Sequence, residues 1–221
     1  MDSGIWFSLR LSALVAILAA LVCAMVGIPL AYVLAKKRFW GRELLDGLVA
    51  IPLVLPPTVT GYFLILLLGR QGWIGGPIYR LTGWSLPFTW QAAVVAAAVV
   101  ALPLLVRADR AAIAAVDPDL ERDAMTLGLG EWAIALTITL PLAWRGLLAG
   151  LSLCFTRALG EFGATLMLAG NIPGRTNTLP LEVYRAFEAG DDDRVRLVVV
   201  LLTLLSFLVL IVSERLSRAT D

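Results

Sequence analysis

Long apolar runs alternate with short polar segments along the chain. The runs cover about residues 9–35, 47–68, 88–106, 146–169 and 197–212. A helix of roughly 20 apolar residues crosses the hydrocarbon core of a bilayer, and most of these runs are close to that length. The pattern therefore predicts an all-α integral membrane protein with about five transmembrane helices, built as a single domain over residues 1–221.

The first run is too long for the apolar part of a signal peptide, and Lys36, Lys37 and Arg38 follow it directly. Basic clusters beside a membrane span stay on the cytoplasmic side. We therefore expect the N-terminus to lie outside the cell and the C-terminus to lie inside.

The second run contains Pro52, Pro56 and Pro57, followed by Thr58 and Thr60. Proline removes a backbone donor from a helix and bends its axis. Broken helices are tolerated in membranes where they face protein or water. The run is expected to bend around a translocation path. A packing kink is the alternative, and the two threonines favour the path.

The fourth run carries Arg157 and Glu161 deep within its apolar sequence. Charged residues at such a depth are costly unless they are paired or hydrated. Their spacing of four residues places them on one face of a helix. They predict either a gating pair beside the path or a structural ion pair, and pairing alone does not separate the two.

A polar stretch, residues 117–141, separates the third run from the fourth. Asp117 or Asp119 can cap a helix over residues 120–127, which Gly128 would end. Residues 132–140 are expected to lie along the membrane surface until Pro141 redirects the chain. Such a helix suits docking of a soluble partner, although a solvated connector is the alternative.

A second polar segment precedes the last run. Residues 179–189 are expected to form a short amphipathic helix that Gly190 ends. The three consecutive aspartates that follow, Asp191 to Asp193, are expected to cap the last helix rather than to bind a metal.

Composition narrows the chemistry further. The chain is 59% hydrophobic with a mean hydropathy of +0.85, and its net charge is +1. That charge gives no electrostatic case for nucleic-acid binding. The absence of histidine excludes His-ligated metal sites and Ser-His-Asp catalysis. Cys23 and Cys154 lie in apolar runs and are expected to be small buried hydrophobic residues.

The polar stretch resembles the EAA loop of ABC importer permeases, in which EAA, three residues, Gly, nine residues and Ile-x-Leu-Pro follow one another. Matches in type and spacing are Ala124, Gly128, Ile138, Leu140 and Pro141, whereas Arg122 and Asp123 depart from the pattern and Glu121 stands one residue early. The resemblance implies that coupling to an ATPase involves Glu121, Asp123, Ala124, Gly128, Ile138 and Pro141.

Two other stretches resemble the molybdate permease family. They are LPPTVTGYF at residues 55–63 and RALGEFGATLMLAGNIPGRTNTLP at residues 157–180. Sulfate permeases share RALGEFGA and typically diverge after it. The similarity covers about residues 8–210, nearly the whole chain.

The resemblance implies the transmembrane subunit of a type I ABC importer in a bacterial or archaeal cytoplasmic membrane. Two copies would form the pore in the lipid bilayer. Two ATPase subunits would bind ATP and magnesium on the cytoplasmic side, and an extracytoplasmic binding protein would deliver molybdate or tungstate. The chain has no G-x-x-x-x-G-K-[ST] motif, so we expect neither a cofactor nor enzymatic activity in it.

An oxyanion path of this kind would use hydroxyl and amide donors rather than a tight charged site. Candidates for the path or its gate are Thr58, Thr60, Ser152, Thr156, Arg157, Glu161 and Thr165. The alternatives are a permease for a related oxyanion such as sulfate, an ion-coupled secondary carrier, and a non-transporting assembly subunit. The runs show no inverted repeat, which argues against the carrier.

Overall fold

The computed structural model describes residues 3–218, and this part of the chain is helical without a β-strand. The helices are α1 (Ser3–Lys36), α2 (Arg42–Val54), α3 (Pro57–Leu68), α4 (Gly75–Thr82), α5 (Trp90–Ala114), α6 (Pro118–Thr126), α7 (Glu131–Ile134), α8 (Leu140–Leu159), α9 (Gly163–Ala169), α10 (Leu179–Glu188) and α11 (Asp192–Arg218). A π-helical turn, Ala135–Thr139, joins α7 to α8.

Three of these helices are long and apolar enough to cross a membrane: Ser3–Lys36, Trp90–Ala114 and the continuous helix Glu131–Leu159. The pair α2 and α3 adds a fourth span if the two count as one broken helix. Residues 197–212, the predicted last run, lie within α11, which is not among these candidates. The count of about five spans and the orientation of the termini therefore stay predictions.

The predicted bend in the second run is present. Helices α2 and α3 meet at an angle of 116° on either side of Leu55 and Pro56. Leu55 is extended, with φ −73° and ψ 146°, as expected for a residue before proline. The prolines thus convert one apolar run into two short helices that point in different directions.

The fourth run differs from its prediction. An uninterrupted span is expected over residues 146–169, whereas the helix begins upstream at Glu131 and its α8 portion, Leu140–Leu159, stops before the run does. Residues 160–162 interrupt the helix before α9 begins at Gly163. Hydrophobicity alone does not reveal such a break, because both sides of it are equally apolar.

Helices α1, α5 and α8 form the centre of the core. Their contact is rich in alanine, with buried residues that include Ala16, Ala19, Ala93, Ala97 and Ala101. Small side chains let helix backbones approach closely, which favours association within a membrane. Cys23 and Cys154 are buried in the same cluster, as expected, and the Cys23 thiol donates to the carbonyl of Ala98 at 3.2 Å.

The second polar segment follows its prediction closely. Helix α10 ends at Glu188, and Gly190 has the left-handed φ of +71° that ends many helices. Asp191 Oδ1 then accepts a hydrogen bond from the N–H of Arg194 at 3.1 Å and caps the start of α11. The fully buried Glu182 of α10 pairs with Arg185 at 2.8 Å and with Arg194 at 2.5 Å, which ties α10 to α11.

Candidate functional site

The sequence signals at both ends of α6 act as predicted. Asp117 Oδ1 accepts a hydrogen bond from the N–H of Asp119 at 2.9 Å, and the helix begins at Pro118. At the other end, Gly128 has a φ of +86°, which glycine adopts without strain. The N–H of Leu129 donates to the carbonyl of Ala124 at 3.1 Å, as in a Schellman motif. Both ends of this short helix are therefore fixed.

The connection from α6 to α8 differs from the prediction. Residues 131–159 form one continuous helix, so Pro141 does not redirect the chain. The N–H of Leu140 donates to the carbonyl of Ala135, five residues earlier. This wider turn accommodates Pro141, whose ring would clash with a carbonyl in a regular α-helix. A displacement at Glu131 is consequently carried along α8 without a flexible joint.

Two of the residues implied in coupling face the interior. Ala124 is buried, and the side chain of Glu121 is only 13% exposed. Glu121 Oε1 lies 2.9 Å from Lys36 Nζ and accepts a hydrogen bond from Thr139 Oγ1 at 2.6 Å. These two residues therefore attach α6 to the rest of the protein rather than offering it to a partner.

The other four implied residues are more accessible. Asp123, Gly128 and Pro141 are exposed, and Ile138 is partly buried. The structure thus distributes the implied coupling residues over two sides of the loop, one facing the protein and one facing solvent.

Large apolar side chains accompany this accessible side, and their exposure was not anticipated from the sequence. We call them the loop surface: Leu120, Met125, Leu127, Trp132 and Leu136. Leu127 is 82% exposed and Trp132 is 79% exposed. Leu120, Met125 and Leu127 lie in an otherwise polar segment, where exposed apolar residues are typical of protein interaction sites. Trp132 and Leu136 continue this surface onto the apolar helix that leads into α8. The sequence signal for this surface is the presence of large apolar residues among the acidic ones between Asp117 and Pro141.

The two stretches that resemble molybdate permeases pack against each other. Helix α3 belongs to the first stretch and α9 to the second. At Gly61 an added Cβ would lie 2.7 Å from Met167 Cβ and 2.9 Å from Ala164 Cα. Only glycine allows the helices this separation. Motifs about 100 residues apart in sequence therefore build one tightly packed crossing.

Arg157 and Glu161 form the ion pair that their spacing predicts, although Glu161 lies just beyond the end of α8. Arg157 Nη1 is 2.7 Å from Glu161 Oε2. Glu161 Oε1 also accepts a hydrogen bond from the N–H of Ala164 at 2.8 Å, within the first turn of α9. The carboxylate thereby bridges the break between α8 and α9, which adds a structural role to the pair.

The five hydroxyl candidates have different surroundings. Ser152 and Thr156 donate to carbonyls of their own helix, Thr58 is exposed, and Thr165 is buried. Thr60 borders a cavity of about 820 Å³ between α2 and α3, lined mainly by apolar side chains. Its buried Oγ1 has no hydrogen-bond partner among the described residues. The structure brings Thr60 to a cavity but does not gather all five hydroxyls around one.

The NTLP sequence of the second stretch is fixed to α1, a contact that the sequence did not reveal. Ser8 Oγ donates to Asn177 Oδ1 at 2.6 Å, and Ser12 Oγ accepts from the N–H of Leu179 at 2.7 Å. Asn177 also donates to Asn171. Ser8, Ser12 and Asn177 are buried, so these bonds are shielded from water. The loop after α9 is therefore held against the first three turns of α1.

Residues 27–221 match the family described as binding-protein-dependent transport system inner membrane component. The chain belongs to this family. The membership, together with the long apolar helices, identifies it as a multi-pass protein of the inner membrane and a permease subunit of an ABC importer.

Relatives that align over most of the chain show which permeases of this family it resembles in sequence. The molybdenum transport system permease proteins ModB of Haemophilus influenzae and of Escherichia coli K12 are each 43% identical to this permease and align over 96% of it and 93% of their own lengths. A probable sulfate transport system permease protein of Chlorella vulgaris is 35% identical over 78% of this chain and 65% of its own. The molybdenum permeases thus match more of the sequence at higher identity.

Solved structures support the fold. The permease superposes on a chain of the inward-facing MetNI methionine ABC transporter with a TM-score of 0.72 and 21% identity, covering 99% of this chain and 94% of that one. A bacterial alginate ABC transporter gives a TM-score of 0.81 with 14% identity, covering 100% and 80%. The fold is that of a type I ABC importer transmembrane subunit, as predicted.

Proposed function

We propose that this permease is the pore subunit of an ATP-driven molybdate importer, with tungstate as a second cargo. The observation that carries the cargo assignment is the 43% identity to molybdenum transport permeases over 96% of the chain. The α3–α9 crossing supports it, because the stretches that resemble molybdate permeases build that element together. The assembly would contain two copies of the chain.

The ATPase subunits, which hold ATP and magnesium, would dock on the loop surface. A short helix with two fixed ends, followed by a continuous helix into the core, supports this role. Trp132 lies on the continuous helix, so force applied there reaches α8 directly, and the short link 128–130 joins α6 to that helix. Asp123 and Gly128 would lie at the contact, and Ile138 and Pro141 would support it from behind. Glu121 and Ala124 would hold α6 in place.

ATP binding would bring the ATPases together and move the loops of both copies, converting the pore from inward-facing to outward-facing. An extracytoplasmic binding protein would then release the dianion into the pore. High affinity would reside in that protein, because a pore that bound its cargo tightly would not let it leave.

Neutral donors would line the path inside the bilayer. The unpartnered hydroxyl of Thr60 is the best supported of the candidates, since a buried hydroxyl without a partner is available to a passing oxyanion. Thr58 stands two residues before it at the start of α3, on the exposed side. Arg157 and Glu161 would gate the path through the break between α8 and α9 that they bridge.

The test is reconstitution of the permease in proteoliposomes with its ATPase and binding protein. Uptake and ATP hydrolysis should rise with molybdate and tungstate, and much less with sulfate. Sulfate uptake as fast as molybdate uptake would favour the related-oxyanion alternative. Uptake by the permease alone under an ion gradient would instead support a secondary carrier, and complete absence of uptake would contradict the proposal.

A second experiment tests docking separately from transport. Leu127→Asp places a charge on the loop surface without disturbing a buried contact. We expect the ATPase to co-purify with the wild-type permease and to be lost from this variant. Retention of the ATPase would show that docking takes place elsewhere.

A further inference from the structure

A buried polar cluster joins three elements at one end of the helix bundle. We call it the inner clamp: Lys36, Glu121 and Thr139. Lys36 is the last residue of α1, Glu121 lies on α6, and Thr139 is the last residue of the π turn. A single carboxylate oxygen, Glu121 Oε1, accepts both contacts, at 2.9 Å from Lys36 and 2.6 Å from Thr139.

The inner clamp is shielded from solvent. The side chains of Lys36 and Glu121 are 16% and 13% exposed, and Thr139 is fully buried. Hydrogen bonds to a charged group are stronger than neutral ones, and shielding strengthens them further. A neighbouring pair links Lys37, which follows α1, to Glu131, the first residue of α7, in a much more exposed position. The chain thus contains a protected contact and an exposed one side by side.

The end of α1 is also attached to α2. Arg42 donates to the carbonyl of Leu34 through Nε at 3.0 Å and through Nη2 at 2.7 Å. This satisfies a carbonyl in the last turn of α1, which has no partner within its own helix. A movement of Lys36 would therefore also displace α2 and, through α2, the bend at Leu55 and Pro56.

Glu121 faces away from the loop surface, so it does not contact a partner that docks there. We propose that Glu121 is a positioning residue whose inner clamp makes α1 move together with α6 and α8 during transport. This proposal rests on the proposed function, since it assigns the route by which docking force leaves α6. The π turn carries force to α8, and the inner clamp carries it to α1.

The decisive variant is Glu121→Gln, which keeps the shape of the side chain and removes its charge. Its matched control is Glu131→Gln, which makes the same change in the exposed pair. In proteoliposomes with the ATPase and binding protein, we expect Glu121→Gln to lower molybdate uptake per ATP hydrolysed about tenfold, within the usual range of coupling between sites. Glu131→Gln should stay within about twofold, because exposed ion pairs contribute little.

A charge exchange provides the rescue. Lys36→Glu combined with Glu121→Lys restores an opposite-charge pair, and the Thr139 hydroxyl can accept a hydrogen bond as readily as it donates one. We expect this double variant to recover most of the uptake per ATP, whereas Lys36→Glu alone should not. A purely structural role would instead lower ATPase co-purification, hydrolysis and uptake together, leaving their ratio unchanged, and this outcome would overturn the proposal.

A distance measurement on the purified permease decides the inner clamp independently of transport. Spin labels at Arg38→Cys and Arg122→Cys report the separation of α1 and α6, and the native Cys23 and Cys154 are buried from the reagent. We expect a narrow distance distribution that broadens in Glu121→Gln and not in Glu131→Gln. An unchanged distribution refutes the inner clamp, whereas a wild-type complex without ATP-driven uptake refutes the proposed function.

Discussion

The loop of residues 117–141 and the α3–α9 crossing are built in opposite ways. The crossing depends on backbone proximity, with Gly61 against Ala164 and no room for a methyl group. The loop exposes large side chains and is attached by polar contacts of Glu121. A larger side chain between packed backbones displaces both helices. A substitution in a polar contact between helix ends removes one interaction and leaves the helices where they are. Mutations in the crossing should therefore affect folding, and mutations in the loop should affect coupling.

The largest expected effect is at Gly61. Gly61→Val places side-chain atoms where Ala164 and Met167 already lie, and overpacking of this kind costs about 3 kcal/mol of folding free energy. Thermal unfolding of the detergent-solubilised permease measures it. Gly47→Val is the matched control, because a Cβ at Gly47 meets nothing within 4 Å. Equal stability of the two variants would show that the crossing is no more sensitive to added volume than an open helical position.

A smaller loss of stability is expected for Glu161→Gln. The change leaves Arg157 without its ionic partner and weakens the capping of α9 at Ala164, for about 1–2 kcal/mol after allowance for the partial exposure of Arg157. Thermal unfolding again provides the measurement. Arg122→Gln, which breaks the exposed pair with Asp119, should change the unfolding temperature very little. A larger effect from Arg122→Gln would contradict the comparison.

At Gly128 the expected loss is local. Gly128→Val forces a β-branched residue into a left-handed conformation at about 1–2 kcal/mol, although open space surrounds the position. Faster amide exchange should appear in residues 118–130, with transport uncoupled from ATP hydrolysis and the rest of the permease unchanged. Gly128→Asn is the control, because asparagine tolerates this conformation better. Normal coupling in the valine variant would show that the end of α6 is dispensable.

The smallest effect on stability is expected at the loop surface. Leu127→Ser removes an apolar side chain that is already in solvent, so the unfolding temperature should not move. Affinity for the ATPase, measured by titration, should fall about tenfold if Leu127 is a central contact. Leu81→Ser, at a similarly exposed position on α4, should leave this affinity unchanged. Loss of affinity in both variants would indicate a general effect rather than docking on the loop.

Local signals in the sequence were sufficient for much of this fold. The prolines at positions 52, 56 and 57 predicted the bend between α2 and α3, and Asp117 and Gly128 predicted the ends of α6. Each acts through its own backbone, so its effect does not depend on distant residues. The helix before Gly190 followed from the same kind of signal.

Features that depend on partners distant in sequence were not predictable. Nothing near Ser8 indicates that Asn177 will meet it, and nothing near Glu121 indicates Lys36. The continuous helix through Pro141 was not predictable either, because it depends on an irregular turn that the sequence does not mark. A proline normally ends or bends a helix, and only the preceding π turn makes its position acceptable.

The π turn also explains a feature of the loop spacing that the residue types alone do not reveal. Each residue of an α-helix advances the chain by about 100° around the axis, and a π turn contains one residue more than an α-helical turn. Each kind of turn closes about one rotation, so deleting one residue from Ala135–Thr139 would convert the π turn to an α-helical turn and leave α8 in nearly the same rotational phase relative to α7. The extra residue between Gly128 and Pro141 thus changes the backbone just before Pro141, where it accommodates the proline ring, rather than the direction in which α8 faces.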